Sequence, residues 1–192
     1  TANTVSPMQD QPALISLLES LIAPRDAATR TSVESALMAS LPQALPAVLA
    51  VAGDPAVAHD VRLLAAIIAK NYALAHTVAP GDASACITAV FHALPAAPTR
   101  VLAMLAFFLE ALTRHDHAAR VSVLTTAAKT LPLALPVIDA LLSYSYIDQC
   151  ELVALCEPDG VLDALVRVTD SNGSPVAIKV IESVISFVCL GE

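Results

Sequence analysis

The sequence predicts an all-α protein, built as one α-solenoid of about five antiparallel helix pairs. Apolar residues make up 56% of the chain, aromatic residues only 4%, and tryptophan is absent. Small apolar residues, alanine above all, favour thin and closely packed helices over a β-sandwich, which needs aromatic and β-branched pairs. Prolines separate segments of roughly 10–20 residues with helical apolar spacing, and they stand where a helix start tolerates a missing N–H.

These segments predict helices at 8–22, 28–40, 42–52, 58–78, 82–94, 98–114, 117–130, 133–146, 148–156, 159–169 and 174–190. Short connections indicate antiparallel neighbours. The successive pairs are 8–40, 42–78, 82–114, 116–146 and 148–190, in one right-handed segment over residues 1–192. The last helix is apolar over 184–190 and lacks the polar face that caps a solenoid, so we expect an N-terminal fragment of a longer protein.

A repeated pattern connects the first two pairs. The sequence Arg-x-x-Val-Glu beginning at Arg30 matches Arg-x-x-Ala-Ala beginning at Arg62. A recurrence of roughly 30–45 residues with two helices per unit is typical of α-solenoids, in which each pair buries its apolar face only against its neighbours.

The predicted helix near residues 60–76 has the clearest pattern. Its apolar arc comprises Val61, Leu64, Ala65, Ile68, Tyr72 and Ala75. The remaining arc comprises Arg62, Ala66, Ala69, Lys70 and Ala73. Because the side chains of the second arc are small, this arc predicts a surface that another backbone approaches closely, with Arg62 and Lys70 flanking the contact.

Two polar residues of this helix have structural interpretations. Asn71 falls within the apolar arc, so we expect it to be buried and to join adjacent repeats through backbone hydrogen bonds. Arg62 has two open interpretations. It forms an ion pair with Asp54 or Asp60 in a ladder between repeats, or it contacts a partner directly.

Charge and composition exclude several classes of partner. The chain has ten basic and eighteen acidic residues, a net charge of −8, and no stripe of Lys or Arg that would bind nucleic acid. The uncharged stretches 35–53 and 83–99 contain prolines and polar residues, so we predict no transmembrane helix. The start of the chain does not resemble a signal peptide, and its four cysteines have no CxxC spacing. An intracellular, soluble protein with buried thiols is expected.

No motif predicts catalysis, a cofactor or a metal site. The cluster His115-Asp116-His117 is the one plausible start of a metal site, but two histidines at i and i+2 point in different directions on a helix. Cys150 and Cys156 have no neighbouring basic residue in the sequence that would activate a thiol. We therefore predict that the chain is not an enzyme.

The stretch from Gly53 to Asn71 resembles the HEAT-repeat pattern D-P…V-R-x-x-A-A, so the solenoid is expected to be of the HEAT type. More specifically, residues 14–76 are similar to the N-terminal region of the importin-β (karyopherin) superfamily. The matching elements, in order, are Leu17-Leu18-x-x-Leu21, then Arg30, Val33, Glu34 and Leu37, then Val61, Arg62, Ala65, Ala66, Ala69, Lys70 and Asn71.

The resemblance implies a nuclear transport receptor. Such a protein binds the small GTPase Ran in its GTP form, Phe-Gly nucleoporins and protein cargo, and it is found in the cytoplasm, the nucleus and the nuclear envelope. The expected Ran-facing residues are Arg62, Ala66, Lys70 and Ala73. The expected structural residues of the motif are Arg30, Glu34, Asp54 and Asn71. The resemblance implies no cofactor, no direct nucleic-acid binding and no membrane binding.

An alternative interpretation keeps the fold and changes the function. A HEAT-repeat scaffold or adaptor unrelated to nuclear transport shares the helix pairs and their stacking. The distinction between the two depends on the family motif, because a fold alone does not define a function.

Overall fold

The computed structural model describes residues 11–23, 27–143 and 160–172, together with the separate residues 175, 177–179, 181, 182 and 185. Within these residues every regular element is a helix, and no described residue lies in a β-strand. The prediction of an all-α protein is therefore confirmed. The arrangement of the helices as a solenoid stays a prediction.

The described helices are α1 (Gln11–Ile22), α2 (Ala27–Gly53), α3 (His59–Ala75), α4 (Pro80–Ala93), α5 (Thr99–Thr113), α6 (His117–Lys129), α7 (Leu135–Ser143) and α8 (Val161–Asn172). A short 3-10 helix, Leu94–Ala96, follows α4. Most bounds agree with the predicted ones within three residues. The predicted helix at 148–156 lies outside the described residues, as does most of the one at 174–190.

The structure of α2 shows that the predicted boundary between the first two helix pairs is wrong. Two helices were expected, at 28–40 and 42–52, but α2 runs without interruption through Pro42 and Pro46. A proline inside a helix removes one backbone hydrogen bond and costs about 3 kcal/mol. Burial offsets this cost, because Leu41, Leu45 and Leu49 are almost completely buried on either side of the prolines. Tertiary packing thus overrides the local stop signal.

The composition of α2 also bears on membrane insertion. Within the described residues one helix, Thr31–Gly53, is long and apolar enough to cross a membrane, and 44% of the corresponding window is buried inside the protein. A central core helix has the same length and composition, so this is only a weak indication of a membrane span.

The backbone contacts divide the chain into two compact units, 1–104 and 105–192. In unit 1, α2 is the central helix and packs against α1, α3 and α4, while α1 also packs against α3. The core of this unit consists mainly of leucine, valine and alanine. Its fully buried members include Leu14, Leu18, Leu41, Ala44, Val48, Leu49, Ala65, Ala69, Cys86 and Val90.

The ends of α2 and α4 approach each other very closely. A Cβ atom added to Gly53 would lie 2.6 Å from the Cβ and 3.0 Å from the Cα of Ala93. These distances are shorter than carbon–carbon van der Waals contact, about 3.5–4.0 Å. Glycine is therefore required at position 53 for this approach.

In unit 2, α6 packs against both α7 and α8. The buried residues of unit 2 include Phe108, Leu109, Val123, Leu124, Ile138, Leu141 and Leu165. The start of α6 is capped by Asp116, whose side chain accepts a hydrogen bond of 3.0 Å from the Ala119 N–H. This interaction satisfies one of the free N–H groups in the first turn of the helix.

Candidate partner-binding surface

Helix α3 is turned differently from the sequence-based expectation. Its buried residues are Val61, Arg62, Ala65, Ala66, Ala69, Tyr72 and Ala73. The larger apolar residues Leu63, Leu64, Ile67 and Ile68 are only partly buried. The helices that pack against α3 are α1 and α2. The close backbone approach predicted for the small side chains thus fits packing within unit 1.

The four residues predicted to face a partner do not form an exposed surface. Arg62 is 5% exposed, Ala66 0% and Ala73 8%, whereas Lys70 is partly exposed. The expectation that this side of α3 is turned outward is therefore wrong for Arg62, Ala66 and Ala73. Alanine has too little surface to signal by itself which side of a helix is buried. The large apolar residues were given too much weight.

The Arg62 side chain joins two parts of unit 1. Its Nε–H donates to the carbonyl of Ala52 at 3.0 Å, and its NH2 group donates to the carbonyls of Gly53 at 3.5 Å and Ala96 at 2.7 Å. The last carbonyls of a helix have no partner inside the helix and carry its negative dipole end, so a guanidinium stabilises them. Arg62 thus has the structural role, but its acceptors are carbonyls and not the carboxylates of Asp54 or Asp60.

Asp54 orders the connection between α2 and α3. One carboxylate oxygen accepts a hydrogen bond of 2.9 Å from the Ala56 N–H, and the other accepts one of 2.9 Å from the Gln11 side chain. The first bond closes a turn of the kind that aspartate favours. The second links the start of α1 to the end of α2. Asp54 thus has a structural role in this connection, but not through the predicted ion pair with Arg62.

The other three motif residues have different outcomes. Asn71 is exposed, so the expectation of a buried asparagine between repeats is wrong. Of its apolar neighbours on the helix surface, Ile67 and Ile68 are partly buried, and Leu74 and Ala75 are exposed. Glu34 is exposed on α2. Arg30 lies in the first turn of the same helix, and its side chain is outside the described part of the structure.

A second buried arginine was missed by the sequence reasoning. Arg120 is 1% exposed, and its side chain donates a hydrogen bond to the carbonyl of Leu141 on α7. It is the fourth residue of α6, as Arg62 is the fourth residue of α3, and both helices begin with histidine. The shared pattern His-x-x-Arg at a helix start was therefore a usable signal for both residues.

Unit 2 contains a charged pair at the end of α5. The Arg114 guanidinium donates two hydrogen bonds to the Glu110 carboxylate, at 3.0 and 2.8 Å. Glu110 is buried, whereas the Arg114 side chain is 42% exposed. The hydrogen bonds to Glu110 raise the pKa of Arg114 above its usual value. Such forked geometry is stronger than a single exposed ion pair.

The described cysteine has the properties of a buried thiol. Cys86 is completely buried in α4. Burial, followed by the negative charge of Asp82, raises the pKa of the Cys86 thiol to about 12. A thiol with such a pKa is neutral and unreactive at neutral pH. The expectation of a buried thiol is therefore confirmed for Cys86, while Cys150, Cys156 and Cys189 lie outside the described residues.

The cluster His115-Asp116-His117 does not acquire further metal ligands in the described residues. Among them, no group of three or more His, Cys, Asp or Glu side chains is placed to hold a metal ion. His115 and Asp116 are exposed in the connection before α6, and His117 is exposed at the first position of that helix. Asp116 acts as the helix cap described above.

An open cleft of about 330 Å³ lies in unit 1 at the C-terminal ends of α2 and α4. Its walls are Gln11, Ala50, Gly53, Asp54, Ala89, His92 and Ala93. Its volume is at the low end of the range of roughly 300–1,000 Å³ for small-molecule sites. The apolar part of the wall comes almost wholly from alanine, which offers few contacts to a ligand.

No family model, curated protein or solved structure matches the chain. The fold and the described contacts therefore define the class as an all-α protein of packed helices.

Proposed function

We propose that the chain is a segment of an importin-β-like nuclear transport receptor, which binds the GTP form of Ran and Phe-Gly nucleoporins and carries protein cargo through the nuclear pore. It would act in the cytoplasm, the nucleus and the nuclear envelope. The protein itself performs no catalysis in this proposal, so the GTP belongs to its partner.

One observation supports this proposal more than any other. The three sequence elements that resemble the family fall on three consecutive helices, near Leu17 on α1, Arg30 on α2 and Arg62 on α3. These three helices pack against one another in unit 1. The order of the three sequence elements thus follows the order of three packed helices. Helix α2 also contains residues 42–52, which were assigned to the second repeat.

The proposed contact surface must differ from the one expected from the sequence. With Arg62, Ala66 and Ala73 buried, Lys70 is the remaining candidate among the four, and the exposed Asn71 is its neighbour. An amine on a flexible side chain supplies attraction to an acidic partner surface and affects mainly the association rate. We therefore assign the Ran contact to the part of α3 that carries Lys70.

Binding of the chain to Ran, loaded with GTP in one sample and GDP in another, tests the function directly. Titration calorimetry or surface plasmon resonance is expected to show a clear preference for the GTP form. A Lys70→Glu variant is expected to weaken GTP-form binding by about tenfold, which corresponds to roughly 1.4 kcal/mol. Lys129→Glu is the matched control, because Lys129 is an exposed lysine at the end of α6.

The outcomes separate the function from the contact surface. If neither nucleotide form of Ran binds to a chain that retains its helical circular dichroism, the transport proposal is overturned. If Ran binds with GTP preference but the two lysine variants behave alike, the function stands and the Lys70 surface is rejected.

A HEAT-repeat scaffold outside nuclear transport is the second candidate. The burial of Arg62, Ala66 and Ala73 favours it, because three of the four residues expected to recognise Ran have positions in the core. The scaffold proposal predicts that the chain binds neither nucleotide form of Ran. The same titrations therefore decide between the two candidates.

A further inference from the structure

We draw no further inference here: the strongest candidate, the open cleft between the C-terminal ends of α2 and α4, has Asp54 as its carboxylate, both oxygens of that group already accept hydrogen bonds from Gln11 and Ala56, and nothing in the structure shows what the cleft would hold.

Discussion

The NH2 group of Arg62 donates a hydrogen bond of 2.7 Å to the carbonyl oxygen of Ala96, a residue 34 positions further along the chain. The same side chain also binds the carbonyls at the end of α2. The Arg62 guanidinium thus connects the end of α2 to the 3-10 helix that follows α4 through hydrogen bonds. Because Arg62 and its hydrogen bond to the Ala52 carbonyl are buried, that carbonyl would not simply regain water as a partner if the side chain were removed.

Replacement of this arginine should therefore destabilise the protein. Arg62→Ala is expected to lower the free energy of unfolding by about 2–3 kcal/mol, since it removes hydrogen bonds from a charged donor and leaves a gap in the core. Urea denaturation followed by circular dichroism measures this loss. The control is Arg100→Ala, an exposed arginine at the start of α5, for which a change within about 0.5 kcal/mol is expected. Equal losses for the two variants would contradict the role of Arg62.

The contact between Gly53 and Ala93 predicts a steric effect. Gly53→Ala places a methyl group 2.6 Å from the Ala93 Cβ, so one of the two helices must shift, at a cost of about 1–3 kcal/mol. Gly81→Ala is the control, because an added Cβ meets nothing within 4 Å there and alanine favours the helix. That variant should be as stable as the parent or more stable by up to about 1 kcal/mol.

A double-mutant cycle sharpens this test. In the pair Gly53→Ala with Ala93→Gly, the nearest clashing atom is gone, so the combined loss of stability should be smaller than the sum of the two single losses. Simple additivity would show that the two positions do not press against each other.

The orientation of α3 can be tested with a larger side chain. Ala69→Leu is expected to lower the free energy of unfolding by about 1–3 kcal/mol, because Ala69 is completely buried and the core must shift to accept the added atoms. Ala75→Leu, at the exposed end of the same helix, should change it by less than about 0.5 kcal/mol. Thermal unfolding of both variants provides the comparison. If Ala69→Leu lowers the free energy of unfolding no more than Ala75→Leu does, the side of α3 that carries its buried alanines does not face the core.

Two of the ion pairs of unit 2, one buried on its acidic side and one exposed, should differ in their importance. Glu110→Gln removes the charge from a buried carboxylate that binds Arg114 through two hydrogen bonds, and a loss of about 1–2 kcal/mol is expected. Asp163→Asn acts on an exposed pair, Asp163 with Arg167, whose nitrogen–oxygen distance is 3.9 Å. Such surface pairs contribute about 0–1 kcal/mol. Urea denaturation of both variants at low and high salt measures the two losses in the free energy of unfolding. A larger loss for Asp163→Asn than for Glu110→Gln would contradict the prediction.

The Cys86 thiol should resist alkylation in the folded protein. With its pKa raised to about 12, it is neutral at pH 8 as well as buried, so iodoacetamide should label it only after denaturation. Mass spectrometry of the peptide that contains Cys86 measures this. Rapid labelling in the folded state would show that the thiol is accessible and ionised.

The same pKa also has an effect on stability at high pH. The thiol of the unfolded chain has the ordinary cysteine pKa of 9.0, so it loses its proton at a lower pH than the folded one does. Unfolding is therefore favoured increasingly as the pH rises from about 9 to about 12. A Cys86→Ala variant should show a smaller loss of stability over this interval than the parent.

Residues with strong local signals were predicted well. The predicted starts of α4 and α6, at 82 and 117, lie close to the observed ones at Pro80 and His117, where a proline in the first turn and the Asp116 cap act within a few residues. At Pro42 the same kind of signal failed. The buried leucines around this residue make contacts with other helices, and no local pattern in the sequence reports the strength of such contacts.

The candidate site was harder to predict than the helices. The sequence marked Arg62 as important, yet it did not distinguish a donor to backbone carbonyls from a donor to a partner. That distinction depends on Gly53 and Ala96, whose carbonyls could be placed near Arg62 only by the packing of α3 against the rest of unit 1. The orientation of α3 was likewise decided by its neighbours α1 and α2, and not by its own pattern of apolar residues.

The uninterrupted course of α2 restricts how the protein can be shortened. A cut at Pro42, where the sequence suggests a natural boundary, would divide the central helix of unit 1 and leave Leu41 and Leu45 on separate pieces. Neither piece would then contain the partners that offset the unfavourable prolines. Any truncated version intended to fold must therefore keep Ala27–Gly53 whole, together with the helices on both sides of it.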